Sequence, residues 1–407
     1  MKRFLKSLML SFCIGLPLAA GLIFFLYTNQ KEAAFEHVEV RIPEEFAETE
    51  ETVKAEETSP ANIPTQSSKE NHDTESVIFS FAGDVYFSEL RIEEYEKSGV
   101  SALVDEEMLN FMRNADIFML NHEFVFSKRG EAMADKEYTL RNDPEYVKIL
   151  QELGTDVVSV ANNHILDFGQ EAFLDTLDTL QQSDIAYAGG GHNIEEASSP
   201  VVYEINGQSF AIFAATRVSP SYDWYAGKNR AGIFQTYDTT ALNAAISEAE
   251  NIYDHTIVFV HWGIERNEMP EEYQRTLAKE YIDSGADLVV GCHPHVLQGF
   301  EYYNGVPIVY SLGNYLFGNR TGETILLNAE FSSDGTLELQ LIPCQRINGI
   351  LTRIQEPKEL FTKLADLSFD VKISENGLLL QETIDSYNLF FHYIAISKKG
   401  MTSRRHP

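Results

Sequence analysis

Short apolar segments alternate with amphipathic segments along most of this 407-residue chain, and this alternation limits the fold more than any other feature of the sequence. The apolar runs occupy residues 77–83, 116–121, 156–161, 211–216, 256–261, 287–291 and 307–313. Helical patterns lie among them, at residues 144–154, 169–183, 239–251 and 270–285. Near-continuous apolar strands alternating with helices predict an α/β fold whose sheets are covered on their outer faces.

The pattern changes toward the C-terminus. The segments ILLNAEF and LELQLIP, joined by the turn SSDGT, predict a β-hairpin. The later segment PKELFTKLADLS predicts a helix, to which no chemistry can be assigned. We therefore assign residues 77–345 to one domain and residues 346–407 to a C-terminal extension.

The N-terminal residues predict a membrane anchor at residues 1–27. Basic residues at positions 2, 3 and 6 precede an uncharged apolar run at 8–27, about the 20 residues that a helix needs to cross a bilayer. The alternative is a cleaved signal peptide, but its apolar region is normally about 7 to 15 residues long. Since the basic flank stays inside, we expect a single-pass protein of the cell membrane with a cytoplasmic N-terminus and an extracellular domain.

Residues 28–76 are acidic, rich in Ser, Thr and Pro, and nearly free of aliphatic residues. Such a segment cannot bury enough apolar surface to fold, so we expect a disordered linker. The whole chain has 31 Lys and Arg against 62 Asp and Glu, a formal charge of -31. A surface of this sign repels phosphate backbones, which excludes nucleic acid as an expected partner.

Polar side chains that suit metal binding follow six of the apolar runs directly. In chain order they are Asp84; His122 and Glu123; Asn162, Asn163, His164 and Asp167; His261 and Glu265; His293 and His295; and Asn314. Each one alone has an ordinary explanation as a helix cap, a turn residue or a packed histidine. Because ligand sites in α/β sheets lie beyond the carboxyl ends of the strands, the whole set predicts one site at a single rim.

The donor types indicate which ion this rim would bind. Imidazole combined with carboxylate and carboxamide oxygens suits manganese, iron, zinc or nickel better than calcium or magnesium. We expect a divalent metal, Mn, Zn or Fe, and interpret the neighbouring Cys292 as a small packed residue. Such a cation would also give an anionic substrate a local positive charge on an acidic protein.

Six motifs resemble those of the CapA family, bacterial proteins implicated in making or exporting poly-γ-glutamate. They are GDVYF (83–87), NHE (121–123), ANNHILDFG (161–169), HWGIE (261–265), GADLVVGCHPHVLQGFE (285–301) and YSLGNYLFG (310–318). The resemblance covers residues 77–345. That family is itself similar to calcineurin-like metallophosphoesterases, so the resemblance implies two packed mixed β-sheets flanked by helices.

The resemblance also implies roles for individual residues. It implies metal ligation by Asp84, Glu123, Asn163, His261, His293 and His295, with Glu123 able to bridge two ions, and catalysis by His164 and Asp167. In that scheme His164 protonates a leaving group and Asp167 orients it. The phosphoesterase pattern begins Asp-x-His, whereas this chain has Tyr86 two residues after Asp84. One imidazole is therefore missing, so we expect one ion and leave a second open.

Substrate-binding candidates lie on the same rim. Arg217 and Arg230 belong to a long polar and aromatic loop and could hold a carboxylate or phosphate, although surface arginines are usually only solvated. Asn314 follows the last apolar run. We expect an anionic polymer or a phosphate ester as the substrate.

Three functions remain open from the sequence. The first is a membrane-anchored extracellular CapA-type protein that supports poly-γ-glutamate capsule or a related envelope polymer through a metal-dependent hydrolase-like site. The second is a non-catalytic assembly or export subunit that binds polymer or membrane-bound synthase and export subunits. The third is an extracellular metallophosphoesterase that acts on nucleotides or envelope phosphate esters.

Overall fold

The computed structural model describes residues 76–320 and 322–382 of the chain. The predicted anchor at residues 1–27 and nearly all of the predicted linker at 28–76 lie outside the described residues. Within the described ranges, no helix combines the length and apolar character needed to cross a membrane.

The strands and helices follow the predicted alternation. The strands are β1 Ser76–Tyr86, β2 Ile117–His122, β3 Val125–Phe126, β4 Arg141–Asn142, β5 Val157–Ser159, β6 Ala186–Ala188, β7 Gly190–Gly191, β8 Val201–Ile205, β9 Gln208–Thr216, β10 Gly232–Ile233, β11 His255–His261, β12 Leu288–Cys292, β13 Phe300–Tyr303, β14 Val306–Val309, β15 Asn314–Phe317, β16 Glu323–Ser332, β17 Leu337–Ile347, β18 Ile350–Arg353, β19 Val371–Ile373 and β20 Leu379–Gln381. The helices are α1 Glu89–Ser98, α2 Glu106–Asn114, α3 Val147–Leu153, α4 Gly169–Gln182, α5 Ile194–Ser198, α6 Thr240–Glu250, α7 Glu272–Asp283 and α8 Lys358–Asp366.

The strands form two large mixed sheets. The first has the order β18-β17-β16-β1-β2-β5-β6, and β15 also pairs with β1. Its strands β1, β2, β5 and β6 run parallel, whereas β16 to β18 are antiparallel. The second sheet has the order β13-β14-β12-β11-β9-β8, with a parallel centre and antiparallel edges.

The two sheets pack face to face. The rings of Phe79 in β1 and Phe210 in β9 have centroids 4.8 Å apart, and Phe81 lies 6.5 Å from Phe259 in β11. One buried apolar cluster contains the inward-facing residues of both sheets. Separate clusters join each outer face to its helices, α1 to α4 on the first sheet and α6 and α7 on the second. The prediction of a mixed α/β fold with sheets flanked by helices is confirmed.

The structured region continues beyond the predicted boundary at residue 345. The predicted hairpin is present as β16 and β17, and β17 extends to Ile347 and pairs with β18. The predicted helix is α8, whose Leu360, Phe361 and Leu364 belong to the core between the sheets. Residues from this part of the chain therefore contribute to the same packed core.

Candidate metal centre

The candidate ligands meet where the carboxyl ends of the central strands of both sheets come together. Asp84 at the end of β1 is paired in register with Asn121 of β2 and Asn314 of β15. In the second sheet, His261 at the end of β11 is paired with Cys292 at the end of β12. Parallel pairing thus places the carboxyl ends of β1 and β2 together in the first sheet, with the start of β15 beside them, and those of β11 and β12 together in the second.

Strand alternation directs most of these side chains into the space between the sheets. In β11, Ile257 and Phe259 face the inter-sheet core, and His261 follows them with the same parity. In β12, Leu288 and Val290 face the inter-sheet core, and Cys292 follows them with the same parity. Because side chains two apart in a strand share a face, His261 and Cys292 point to the same space.

Asp84 reaches that space only because β1 is irregular. Phe81 faces the inter-sheet core and Ala82 faces the helices, so a regular strand would turn Asp84 toward the helices. The register with β2 shifts between Phe81 and Asp84, which turns the carboxylate inward. Gly83 permits this close approach, since a Cβ atom there would lie 2.0 Å from the Gly313 carbonyl oxygen.

Asp84 is fully buried and bonded on several sides. Its Oδ1 accepts a 2.8 Å hydrogen bond from Asn121 Nδ2, and its two oxygens each lie 3.3 Å from the His293 amide nitrogen. Its Oδ2 lies 3.1 Å from His295 Nδ1. Burial acts to raise the pKa of Asp84, but the hydrogen bond and charge of His295 bring that pKa below its usual value. Asp84 is therefore a buried carboxylate that favours the ionised form and is a candidate anionic ligand.

Glu123 is also fully buried, and it lacks a partner for one oxygen. Oε2 accepts a 3.2 Å hydrogen bond from Asn121, whereas Oε1 has no hydrogen-bond partner. Oε1 lies 3.8 Å from Nε2 of both His261 and His295. Burial and the charge of Asp84 raise the pKa of Glu123 well above its usual value. A cation near Oε1 would favour the ionised carboxylate and so oppose the effects of burial and of Asp84 on the Glu123 pKa.

His261 is held on both ring nitrogens. Nε2 lies 2.9 Å from Asn163 Oδ1, and Nδ1 lies 3.3 Å from Cys292 Sγ. Burial, reinforced by the nearby His293 and His295, lowers the pKa of His261 well below its usual value. The ring is therefore neutral at pH 7, the form in which histidine binds metals.

The loop after β12 carries the paired histidines in unusual backbone conformations. His293 has φ of 96° and His295 has φ of 57°, in a region that residues other than glycine seldom adopt. His293 Nδ1 is buried without a hydrogen-bond partner, and burial lowers the pKa of its ring to about 3. Strained backbone of this kind persists where the surrounding structure holds side chains for function.

Asn314 fixes the second of these histidines. Its Oδ1 lies 2.8 Å from His295 Nδ1, and its Nδ2 donates a 3.1 Å hydrogen bond to the His295 carbonyl oxygen. Burial acts to lower the pKa of His295, but Asp84 raises it overall. Both polar atoms of the Asn314 side chain are therefore engaged with His295, and its predicted contact with substrate stays a prediction.

The donor set fits a divalent cation. The ligand atoms of Glu123, His293 and His295 lie within 4.8 Å of one another, as do those of Asp84, His261 and Cys292. Glu123 Oε1 and His293 Nδ1 are the kind of buried, unpartnered donors that an ion would satisfy. Cys292 is packed in the core, as predicted, but its thiol also borders the cluster, which the interpretation as a packed residue alone missed.

A second group of polar side chains lies beside this cluster. His164 Nδ1 lies 2.8 Å from Asp167 Oδ2, which also accepts a 2.7 Å hydrogen bond from the Leu140 amide. Lys136 binds the other oxygen of Asp167 and the Asn163 carbonyl oxygen, and its Nζ lies 3.2 Å from His164 Nδ1. Burial lowers the pKa of His164 and of Lys136. His164 is thus oriented through Nδ1, which leaves Nε2 for chemistry.

Two asparagines connect these groups: Asn121, which sequence analysis did not select, and Asn162, which it placed on the rim without a ligand role. Asn121 donates to both Asp84 and Glu123, and its Oδ1 accepts a 3.2 Å hydrogen bond from Asn162. Asn162 Oδ1 accepts a 3.1 Å hydrogen bond from the His164 amide. Asn121 belongs to the motif NHE and Asn162 to the motif ANNHILDFG, so the sequence pattern already marks both positions. Lys136 lies in a loop without any local pattern.

Three predicted rim residues do not join the cluster. His122 faces the helices and packs against Phe124, with ring centroids 3.9 Å apart. Arg217 donates hydrogen bonds to the carbonyl oxygens of Thr236 and Tyr237. Arg230 donates to the Tyr225 carbonyl oxygen. Neither arginine contacts a candidate metal ligand, and their predicted binding of substrate stays a prediction.

The fold and the site together define a class: an α/β protein with a buried cluster of histidines and carboxylates between two sheets. The family model described as "Bacterial capsule synthesis protein PGA_cap" matches residues 78–319, and this chain belongs to that family. The resemblance to CapA proteins is confirmed.

Curated relatives agree with this family. The chain is 33% identical over 269 residues to the "PGA biosynthesis protein CapA" of Bacillus subtilis, covering 65% of this chain and 70% of the relative. It is 30% identical over 283 residues to the "Capsule biosynthesis protein CapA" of Bacillus anthracis, covering 67% and 68%. A "Probable polyglutamine synthesis accessory protein" of Mycobacterium tuberculosis is 28% identical over 208 residues, covering 49% and 55%.

Proposed function

We propose that this protein is a membrane-anchored, extracellular CapA-type protein that supports synthesis or export of poly-γ-glutamate capsule or a related envelope polymer through a metal-dependent hydrolase-like site. The observation that carries the proposal is the convergence of Asp84, Glu123, His261, His293 and His295, with unpartnered buried atoms on Glu123 and His293. Buried polar groups without partners are rare in folded proteins, so an ion is the simplest explanation for this arrangement.

Five side chains would hold the cation: Asp84, Glu123, His261, His293 and His295. Asn163 and Cys292 lie against His261 and could complete or adjust the coordination. A divalent ion of manganese, zinc or iron would supply Lewis acidity toward a substrate oxygen. The calcineurin-like arrangement that the family resemblance implies is part of this proposal.

His164 would exchange a proton with the substrate at Nε2. Asp167 fixes the ring through Nδ1, and Lys136 ties Asp167 to the Asn163 carbonyl. Because Lys136 neutralises the buried Asp167, the carboxylate can orient His164 without becoming an unpaired charge. The group then works as an oriented acid and base beside the cation.

The proposed location rests on the N-terminal sequence. The basic residues and the uncharged run at 8–27 predict a single crossing with the domain outside the cell. Membrane-bound synthase or export subunits would then be neighbours of the domain at the point where an anionic polymer emerges. The printed names of the Bacillus relatives support the assignment to capsule or polyglutamate synthesis.

The experiment compares His164→Gln with the wild-type chain in cells that depend on this protein for polymer. We expect surface polymer to fall to the level of a deletion strain while full-length protein and bound metal remain. Purified full-length wild type should cleave γ-glutamyl chains or phosphate esters with added Mn or Zn, and His164→Gln should not. Normal polymer in cells expressing His164→Gln would contradict a catalytic site.

A second candidate is a non-catalytic assembly or export subunit. The observation that favours it is Tyr86, which replaces the second imidazole of the phosphoesterase pattern and packs 5.8 Å from Phe317 and 6.0 Å from Phe124. This candidate predicts that loss of metal ligands abolishes polymer whereas His164→Gln does not. Turnover of phosphate esters alone would instead favour an extracellular metallophosphoesterase.

A further inference from the structure

Two arginines near the candidate metal centre have side chains without a polar partner among the residues that the structure describes. Elsewhere, buried or half-buried arginines are engaged: Arg275 pairs with Glu301 at 2.8 Å, and Arg346 donates to backbone carbonyls. Arg266 and Arg320 are exposed, and among the described residues no carboxylate or carbonyl accepts a hydrogen bond from either guanidinium. On a chain of formal charge -31, two uncommitted guanidinium groups are local positive charges that an anionic ligand could use.

Arg266 is fixed directly beside the paired histidines. Its amide donates a 2.7 Å hydrogen bond to the carbonyl oxygen of Pro294, the residue between His293 and His295. Its φ of 63° is left-handed, so the local chain bends sharply where the side chain leaves it. The backbone of Arg266 therefore has a defined position relative to the candidate ligands.

Arg320 approaches the same histidines from another part of the chain. Its guanidinium lies 5.9 Å from the ring centroid of Phe317, and that ring lies 4.6 Å from the ring of His295. The buried Arg346 holds this segment by donating hydrogen bonds of 2.7 Å and 3.0 Å to the carbonyl oxygens of Gly318 and Arg320. The segment that carries Arg320 is thus anchored to the core.

Tyr138 lies within electrostatic reach of both arginines. A hydrogen bond with Glu137 raises the pKa of the Tyr138 hydroxyl, and the charges of Arg266 and Arg320 act in the opposite direction. Tyr138 is 64% exposed and follows Lys136, which contacts Asp167, by two residues. Tyr138 is therefore a shared electrostatic neighbour of the two arginines.

We propose that Arg266 and Arg320 form a carboxylate-binding pair at the mouth of the metal centre, which holds the free α-carboxylates of a γ-linked glutamyl chain. This proposal rests on the proposed function, because it takes its substrate class from the polyglutamate assignment. Guanidinium groups bind carboxylates through two parallel hydrogen bonds, which give orientation as well as charge. A polyanion repelled by the acidic chain needs such local cations in order to approach the site.

The test measures binding of a γ-linked glutamate pentamer to the full-length chain by calorimetry at low salt. Variants are Arg266→Gln, Arg320→Gln and the double variant, with Arg353→Gln as the control because Arg353 is a half-buried arginine already paired with Glu107. Because each variant loses one charge-assisted pair of hydrogen bonds, each single variant should bind about tenfold more weakly and the double variant about 100-fold. Arg353→Gln should bind as the wild type does, and all variants should retain the metal content of the wild type.

Two further arms identify what the arginines recognise. A pentamer whose α-carboxylates are amidated should bind the wild-type chain as weakly as the double variant binds the free acid. Arg266→Lys and Arg320→Lys should recover only part of the affinity, since lysine keeps the charge but loses the paired geometry. A double variant that binds the free-acid pentamer as tightly as wild type, with metal retained, overturns the proposal.

One outcome separates this proposal from the function on which it rests. If the wild-type chain does not bind the glutamyl pentamer but binds inorganic polyphosphate in an arginine-dependent way, the polyglutamate assignment is wrong and the pair stands as an anion site. If the wild type binds the pentamer and the double variant does so equally well, the arginine pair is wrong and the polymer assignment stands.

Discussion

His122 and Glu123 are consecutive, fully buried and incompletely bonded, yet they belong to different environments on the two sides of β2. Glu123 faces the inter-sheet space, where Asp84, His261 and His295 surround it. His122 faces the helices and packs against Phe124 and Phe126. The comparison shows that burial of an ionisable group does not identify a metal ligand, whereas the meeting of several donors from different strands does.

The largest expected difference between the two sides is in metal affinity. Asp84→Ala removes the carboxylate at the centre of the inter-sheet cluster, and His122→Leu changes only the helix side. Loss of a residue that merely positions a ligand costs about 10–100-fold in affinity, so we expect at least about 100-fold weaker binding for Asp84→Ala. Metal titration of both full-length variants checks this, and His122→Leu should match the wild type.

The pH dependence of stability should reveal an effect on the helix side of β2, where His122 lies. Burial lowers the pKa of His122 from 6.5 to about 3. The unfolded chain therefore binds a proton that the folded chain excludes, and stability present above pH 6.5 is lost as pH falls toward 3. His122→Leu has no titrating group at this position and does not show this loss. The difference in free energy of unfolding between the variant and wild type should therefore shift by about 2–3 kcal/mol in favour of the variant between pH 7 and pH 4. Parallel pH profiles from chemical denaturation would contradict this account of His122.

The effect of Glu123→Gln on folding stability should change sign when metal is added. The pKa of Glu123 is raised above its usual 4.5. In the metal-free chain the protonated carboxyl therefore adds to folding stability below pH 4.5, and this contribution is lost as pH rises through the folded-state pKa. The neutral amide should therefore stabilise the metal-free chain at pH 7 by about 1–2 kcal/mol. With metal added, the same variant should be the less stable one, because it has lost an anionic ligand. Thermal unfolding with and without chelator measures both, and an equal effect in the two conditions would argue against ligation by Glu123.

The smallest effect is expected for Asn314→Ala, which touches the cluster only through His295. Loss of the hydrogen bonds to His295 frees its ring and backbone, and we expect metal affinity to fall about tenfold. Asn314→Asp retains an oxygen at the same position and should lie between the alanine variant and the wild type. If both variants bind metal as wild type does, Asn314 has no positioning role.

Sequence patterns predicted the sheets and most ligands for a simple physical reason. Apolar strand residues determine which face is buried, and parallel strands place their ends at one edge. The same alternation distinguishes His122 from Glu123, since Phe118 and Leu120 share the parity of His122 and lie on the helix side. For Asp84 this rule fails, because the irregularity in β1 depends on pairing with distant strands.

Other parts of the site could not be read from local sequence. Lys136 lies between strands, and its contact with Asp167 depends on the path of a long connection. Arg217 has the chemistry of a clamp, but the carbonyl oxygens that bind its guanidinium become neighbours only in the folded chain. Arg266 and Arg320 have no motif at all. The hydrogen bond of the Arg266 amide to Pro294 and the contact of Arg320 with Phe317, which packs on His295, both depend on tertiary packing.

The most direct test of the central claim is the metal content of the purified full-length chain and of His261→Ala, His293→Ala and His122→Leu, each loaded with Mn or Zn and then dialysed. The account predicts bound metal in the wild type and in His122→Leu, and loss of metal in both alanine variants with the fold retained. Full occupancy in both His261→Ala and His293→Ala would contradict the assignment of the metal centre.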